Sequence, residues 1–159
     1  MTLEEIEKRL SAIEDVEAIK QVQFSYVNGL MFADWPEVME CFTDDCVLDV
    51  FVEREKVQGR EIIEKIFKEI VSLKHVGDEN DIVCHPIITV DGDKGKGKWI
   101  IYFNQPKDDP NMPDWVKGIY DAEYKKVNGK WKISMLKWRP VFPPGMEPPK
   151  GGPPMPDIK

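Results

Sequence analysis

The chain has 159 residues, 42% hydrophobic and 32% charged, which is enough apolar material for one packed core and too much for a disordered chain. Twenty-two Lys and Arg against 29 Asp and Glu give a net charge of -7, so the positive field that concentrates a protein on a phosphate backbone is missing and no nucleic-acid partner is expected. No apolar run approaches the ~20 residues of a membrane span and the opening MTLEEIEKRL is too charged for a signal peptide, so a cytoplasmic protein without a membrane partner is expected.

At the start, Thr2 and Glu5 stand at capping-box spacing, and Leu3, Ile6, Leu10 and Ile13 then recur every three or four residues, predicting a helix. It continues through Val16, Ile19, Val22, Tyr26 and Leu30, with Asn28 and Gly29 weakening its far end. Asp34 caps a second, short helix from Trp35 to Phe42, with Pro36 in its first turn. Cys46 to Val52 is rich in β-branched residues and reads as a strand, turning at Arg54 and Glu55 and returning over Lys56 to Gln58. After Gly59, REIIEKIFKEIVSLK aligns Ile62, Ile63, Ile66, Phe67, Ile70 and Val71 on one stripe of a third helix.

From Asp81 the period becomes that of strands: DIVCHPIITV, a turn at Asp91-Gly92, then KGKWIIYFN. A second hairpin starts at Trp115, turns at Asn128-Gly129 and returns through KWKISMLKWRPV. Four long antiparallel strands follow from these signals. QPKDDPNMPD between the hairpins carries three prolines and reads as a surface loop. The domain should span 1–142, and the Pro- and Gly-rich segment 143–159 should form an extended tail. Cys41, Cys46 and Cys84 lack CxxC spacing and read as buried thiols, outside any zinc site or disulfide framework.

This order of elements resembles the nuclear transport factor two-like fold, and the motifs resemble its SnoaL-like polyketide cyclase and dehydratase branch, which includes bile-acid dehydratases and relatives of scytalone dehydratase and ketosteroid isomerase. YVNGLMFADWPEVMECFTDDCVLDV, VQGREIIEKIF, HPIITVDGDKGKGKW and GIYDAEYKKVNGKWKI carry the resemblance over about residues 14 to 140. It implies an α+β fold with three helices, in which a curved antiparallel sheet forms a cone around the long first helix. It also implies an internal pocket and a homodimer through the sheet's outer face. A sheet with Trp, Ile and Tyr on both alternations, too large to be covered twice by three helices, points to the same dimer.

The dehydratase branch uses a Tyr and an Asp from the end of helix one and a His from a strand. The Tyr matches Tyr26, whereas the Asp position falls on Met31 and the His position on Asp81. In a regular strand Asp81, Val83 and His85 share a face, so His85 can take over as the base, its ordinary pKa suiting proton transfer. His85 also fits a half-buried residue near a sheet edge, and His75 fits a solvated residue at a helix end. Asp49 is the position suggested by ketosteroid isomerase-like relatives, although the spacing turns it by one residue. Tyr26 reads either as a core aromatic or as a donor to an oxygen on which negative charge develops.

By alternation Trp99, Ile101 and Phe103 share a face of one strand and Gly118, Tyr120, Ala122 and Tyr124 a face of the next. Trp99, Phe103 and Tyr120 are therefore candidate walls of a pocket for a small apolar or polycyclic molecule, to which the resemblance adds Met31 at the family's Asp position, while Trp138 near the end of the last strand stands where it could close the mouth of the cone. Arg139 either closes its mouth or pairs with a surface carboxylate. No phosphate loop, nucleophile elbow or metal spacing occurs. His75, Asp78, Glu79, Asp81 and His85 form only a loose group, and neither metal nor cofactor is expected. Two functions fit: a cofactor-free dehydratase or isomerase acting on a cyclic, mostly apolar carbonyl or hydroxy compound, with His85, Asp81 or Asp49 as base, or a non-catalytic binding or interaction module.

Overall fold

In the computed structural model, residues 1–50, 55–73, 77, 80–104, 115–142 and 144–145 are described. The first helix, α1 (Leu3–Met31), is one unbroken element of 29 residues. Its capping box is complete: the Thr2 hydroxyl accepts from the Glu5 N–H at 3.2 Å and the Glu5 carboxylate from the Thr2 N–H at 2.7 Å. The far end closes through Ala33, whose φ of +54° turns the chain. Its N–H donates to the Leu30 carbonyl and that of Asp34 to the Gly29 carbonyl, a Schellman closure made without glycine.

Asp34 then caps α2 (Trp35–Glu40), its carboxylate accepting from the Glu37 N–H at 3.1 Å. Gly29, read from sequence as a weak point, admits α2 instead: a Cβ there would lie 2.7 Å from the Val38 side chain. The short helix stops before Phe42, because the following strand, β1 (Phe42–Asp49), starts earlier than the sequence pattern predicted. β2 (Val57–Gln58) returns against it, and α3 (Arg60–Glu69) buries Ile63, Ile66 and Phe67 before a single 3₁₀ turn, Val71–Leu73.

The two expected hairpins are β3 (Ile82–Asp91) with β4 (Lys94–Phe103), and β5 (Val116–Val127) with β6 (Lys130–Val141). Asn128 and Gly129, with φ of +51° and +77°, make the tight turn their sequence demands. The sheet runs β2-β1-β6-β5-β4-β3 and is antiparallel throughout except where β1 lies parallel to β6. Helix α1 touches both β6 and β3, three places apart in that order, so the sheet curls around it. This is the expected α+β cone with three helices.

The concave face buries Trp99, Ile101, Phe103, Tyr120, Ala122 and Tyr124 against Ile19, Tyr26, Val27 and Leu30 of α1. The Trp side chains expected on both faces turn inward at 99, 131 and 138. The outer face instead carries charge: Asp121 pairs with Lys98 and Arg139, and Lys137 with Asp49. Ile100 and Ile119, cross-strand partners, and Ile82 opposite Tyr102 give one end of that face its apolar content. The loop 105–114, His75, and the tail 143–159 apart from 144 and 145 lie outside the described residues.

Candidate active site

Where β3 and β5 begin and β4 and β6 end, the concave face meets the C-terminal half of α1. Tyr26 projects from the core side of α1 with only 3% of its surface exposed, wedged edge-on against Phe42, Phe67 and Tyr120 at ring separations of 5.5, 6.3 and 6.0 Å. Tyr120 comes from the inward alternation of β5 and is buried as well. The two phenols hydrogen-bond to each other, and Asp81, half-buried in front of β3, stands close enough for its charge to act on both. Burial first, then the neighbouring phenol and Asp81, push the Tyr26 hydroxyl well above its ordinary pKa. Burial and Asp81 do the same to Tyr120, against the bond from Tyr26. Both phenols therefore stay protonated across the physiological range and serve as donors.

Phe103 and Trp138 pack at 5.8 Å beside this trio. Trp138 lies over Gly118, where a Cβ would come within 2.3 Å of the indole nitrogen, so only glycine lets the ring lie flat on β5. Met31 is half-buried at the end of α1 and stands outside the core cluster. Trp99 is fully buried one turn of the helix deeper. Its indole N–H donates to the Tyr124 hydroxyl at 3.0 Å, which donates in turn to the Gln23 carbonyl oxygen at 2.6 Å. Trp99 is thus held in the packed core and not at a free wall.

Three sequence-derived candidates are corrected. His85 is exposed, with φ +51°, at a bulge between Cys84 and Ile87 that interrupts the alternation on which its placement rested. Its ring turns to the Cys84 thiol at 3.3 Å instead of the phenols. Asp49 alternates with the buried Cys46 and Leu48, so it faces outward and pairs with Lys137 at 2.8 Å. Arg139 also faces outward, bound to Asp121 at 2.6 Å, which is the surface pairing and not the mouth of the cone.

Tyr120 was legible only as a wall, since its hydroxyl's encounter with Tyr26 is a tertiary fact. Gln23 was missed altogether, although a lone amide on the stripe of Ile19, Tyr26, Val27 and Leu30 was a usable signal. Burial raises the Cys41 thiol to about 12 and the Cys46 thiol to about 11, so neither is a nucleophile at neutral pH. Among the described residues no group of three or more His, Cys, Asp and Glu side chains converges as a metal site, and His75, Asp78 and Glu79 lie outside them. No described helix is long and apolar enough to cross a membrane.

The model of the SnoaL-like domain matches residues 11–137. The chain belongs to this family. A putative scytalone dehydratase from Novosphingobium aromaticivorans superposes with a TM-score of 0.70 at 20% identity, covering 82% of this chain and 86% of that one. The hexachlorocyclohexane dehydrochlorinase LinA-type3 from Novosphingobium barchaimii gives 0.71 at 19% identity, over 89% and 99%. A further protein of N. aromaticivorans, described as nuclear transport factor two-like with a cystatin-like fold, gives 0.71 at 15% identity, over 86% and 88%. At these identities the likeness establishes the nuclear transport factor two-like fold alone. Comparison with curated proteins finds no match.

Proposed function

We propose that this SnoaL-like protein is a cofactor-free lyase that eliminates water from a cyclic, mostly apolar β-hydroxy carbonyl compound, with Asp81, Tyr26 and Tyr120 as its working groups. The observation that carries the reading is the convergence of one carboxylate and two hydrogen-bonded phenols inside an aromatic shell. Asp81 takes the proton next to the carbonyl, and the negative charge that develops on the carbonyl oxygen is met by the phenol pair. Both phenols stay protonated, so a hydroxyl proton of the pair is available to the substrate oxygen. The protonated Asp81 then hands its proton to the departing hydroxyl, which leaves as water while the double bond forms. Two structural neighbours bear the names of eliminating enzymes, a putative scytalone dehydratase and a hexachlorocyclohexane dehydrochlorinase, which supports the class.

Screening cyclic β-hydroxy ketones by the absorbance of the conjugated enone product tests this. On a responsive substrate, Asp81→Asn should lower kcat by about 10²–10⁴, and Tyr120→Phe by about 10²–10³. Undiminished turnover in Asp81→Asn would sink the assignment. The exposure of the one described histidine favours the second reading, a binding module, in which polycyclic compounds bind without turnover. Pairing of two copies across the outer sheet face, at the end bearing Ile82, Ile100, Tyr102 and Ile119, belongs to the same proposal.

A further inference from the structure

The first half of α1 presents an apolar stripe that the domain does not use. Leu3, Ile6, Leu10 and Ile13 are 71%, 44%, 53% and 62% exposed, and the fully buried residues of α1 begin only at Ile19. At about 100° per residue the stripe is centred roughly 135° around the helix from the face formed by Ile19, Gln23, Tyr26, Val27 and Leu30. It is therefore a second face, which no continuation of the core contact along α1 would cover.

The spacing of three, four and three residues puts Leu3 and Leu10 at a positions and Ile6 and Ile13 at d positions of two heptads. Leu at a with Ile at d favours three or four helices over two. The flanking charges decide the direction. Arg9 is at g and Glu14 at the e position of the next heptad, so parallel copies place opposite charges together, whereas antiparallel copies would set Glu7 against Glu14. The stripe ends where Glu17 and Lys20, paired to each other at 2.5 Å, take the next a and d positions. Two heptads are too short to form a helix unaided. Here nucleation is already supplied, because the same helix is locked into the core further along and capped at Thr2.

We propose that the N-terminal half of α1 is a self-association surface, on which three or four copies of this chain bundle their first helices in parallel. The full chain should sediment at micromolar concentration with the mass of at least three copies, independently of any substrate. Leu10→Glu/Ile13→Glu, both on exposed positions, should keep the far-UV spectrum and lose the assembly. Arg9→Glu should weaken it, and Arg9→Glu/Glu14→Arg should restore it, which also covers the case in which the first variant folds poorly. Ile82→Glu/Ile119→Glu, directed at the outer sheet face, should leave the helical assembly in place. A monomeric wild-type chain would overturn the proposal, as would a mass that falls with the sheet-face variant and is unmoved by changes in the stripe.

Discussion

Removing the hydroxyl of Tyr124 is the most revealing single change in the core. That oxygen accepts the Trp99 indole N–H at 3.0 Å and donates to Gln23 Oε1 at 2.6 Å, and all three residues are buried. Tyr124→Phe leaves a donor and an acceptor without partners, each at about 1–3 kcal/mol, so a loss of about 3 kcal/mol is expected. For a chain of this length about 1 kcal/mol moves Tm by about 2–4 °C, which puts the expected drop at about 6–12 °C. Gln23→Leu should cost less than Tyr124→Phe, because it orphans only the Tyr124 hydroxyl proton while Tyr124 still satisfies Trp99, and the Gln23 amide nitrogen, which has no hydrogen-bond partner, leaves the interior with its carbonyl. The double variant should then be more stable than Tyr124→Phe alone, since only the indole remains orphaned. Urea denaturation of the four proteins measures the cycle. If Tyr124→Phe costs no more than Gln23→Leu, water reaches the network and the reasoning from burial fails.

Three further outcomes are expected. Gly118→Ala should destabilise by about 1–3 kcal/mol and, by displacing Trp138 from β5, alter Trp fluorescence; an unchanged spectrum and Tm would refute the close packing there. Burial pushes the Asp15 carboxyl up, but hydrogen bonds from Lys126 and Trp131 and the Lys126 charge together hold it below its ordinary range. A depressed carboxylate stabilises the fold above its unfolded pKa and loses that contribution as pH falls through the folded value. As pH falls below about 4, the wild type should therefore lose stability more steeply than Asp15→Asn, and parallel acid titrations of the two would contradict this. With Cys41 and Cys46 buried and their thiols raised, native alkylation should label Cys84 alone; mass spectrometry finding a second modified thiol without unfolding would show the core to be open.

Local chemistry was decided by the sequence. Thr2 with Glu5, Asp34 with Pro36, and Asn128 with Gly129 act within a few residues of themselves, so helix starts and the last hairpin could be placed from the chain alone. Alternation likewise assigned Trp99, Ile101, Phe103, Tyr120 and Tyr124 to one face, because β4 and β5 are regular there. The same rule misplaced His85, where one bulge resets the period, and no local signal besides Pro86 marked it. The parallel seating of β1 on β6, the meeting of Tyr26 with Tyr120 and Asp81, and the diversion of Asp49 and Arg139 to the outer face join residues far apart in sequence. Periodicity tells each element which face is apolar but not which neighbour that face will meet. Tertiary packing alone decided that the stripe of Leu3, Ile6, Leu10 and Ile13, a core signal by its spacing, would stand outside the core.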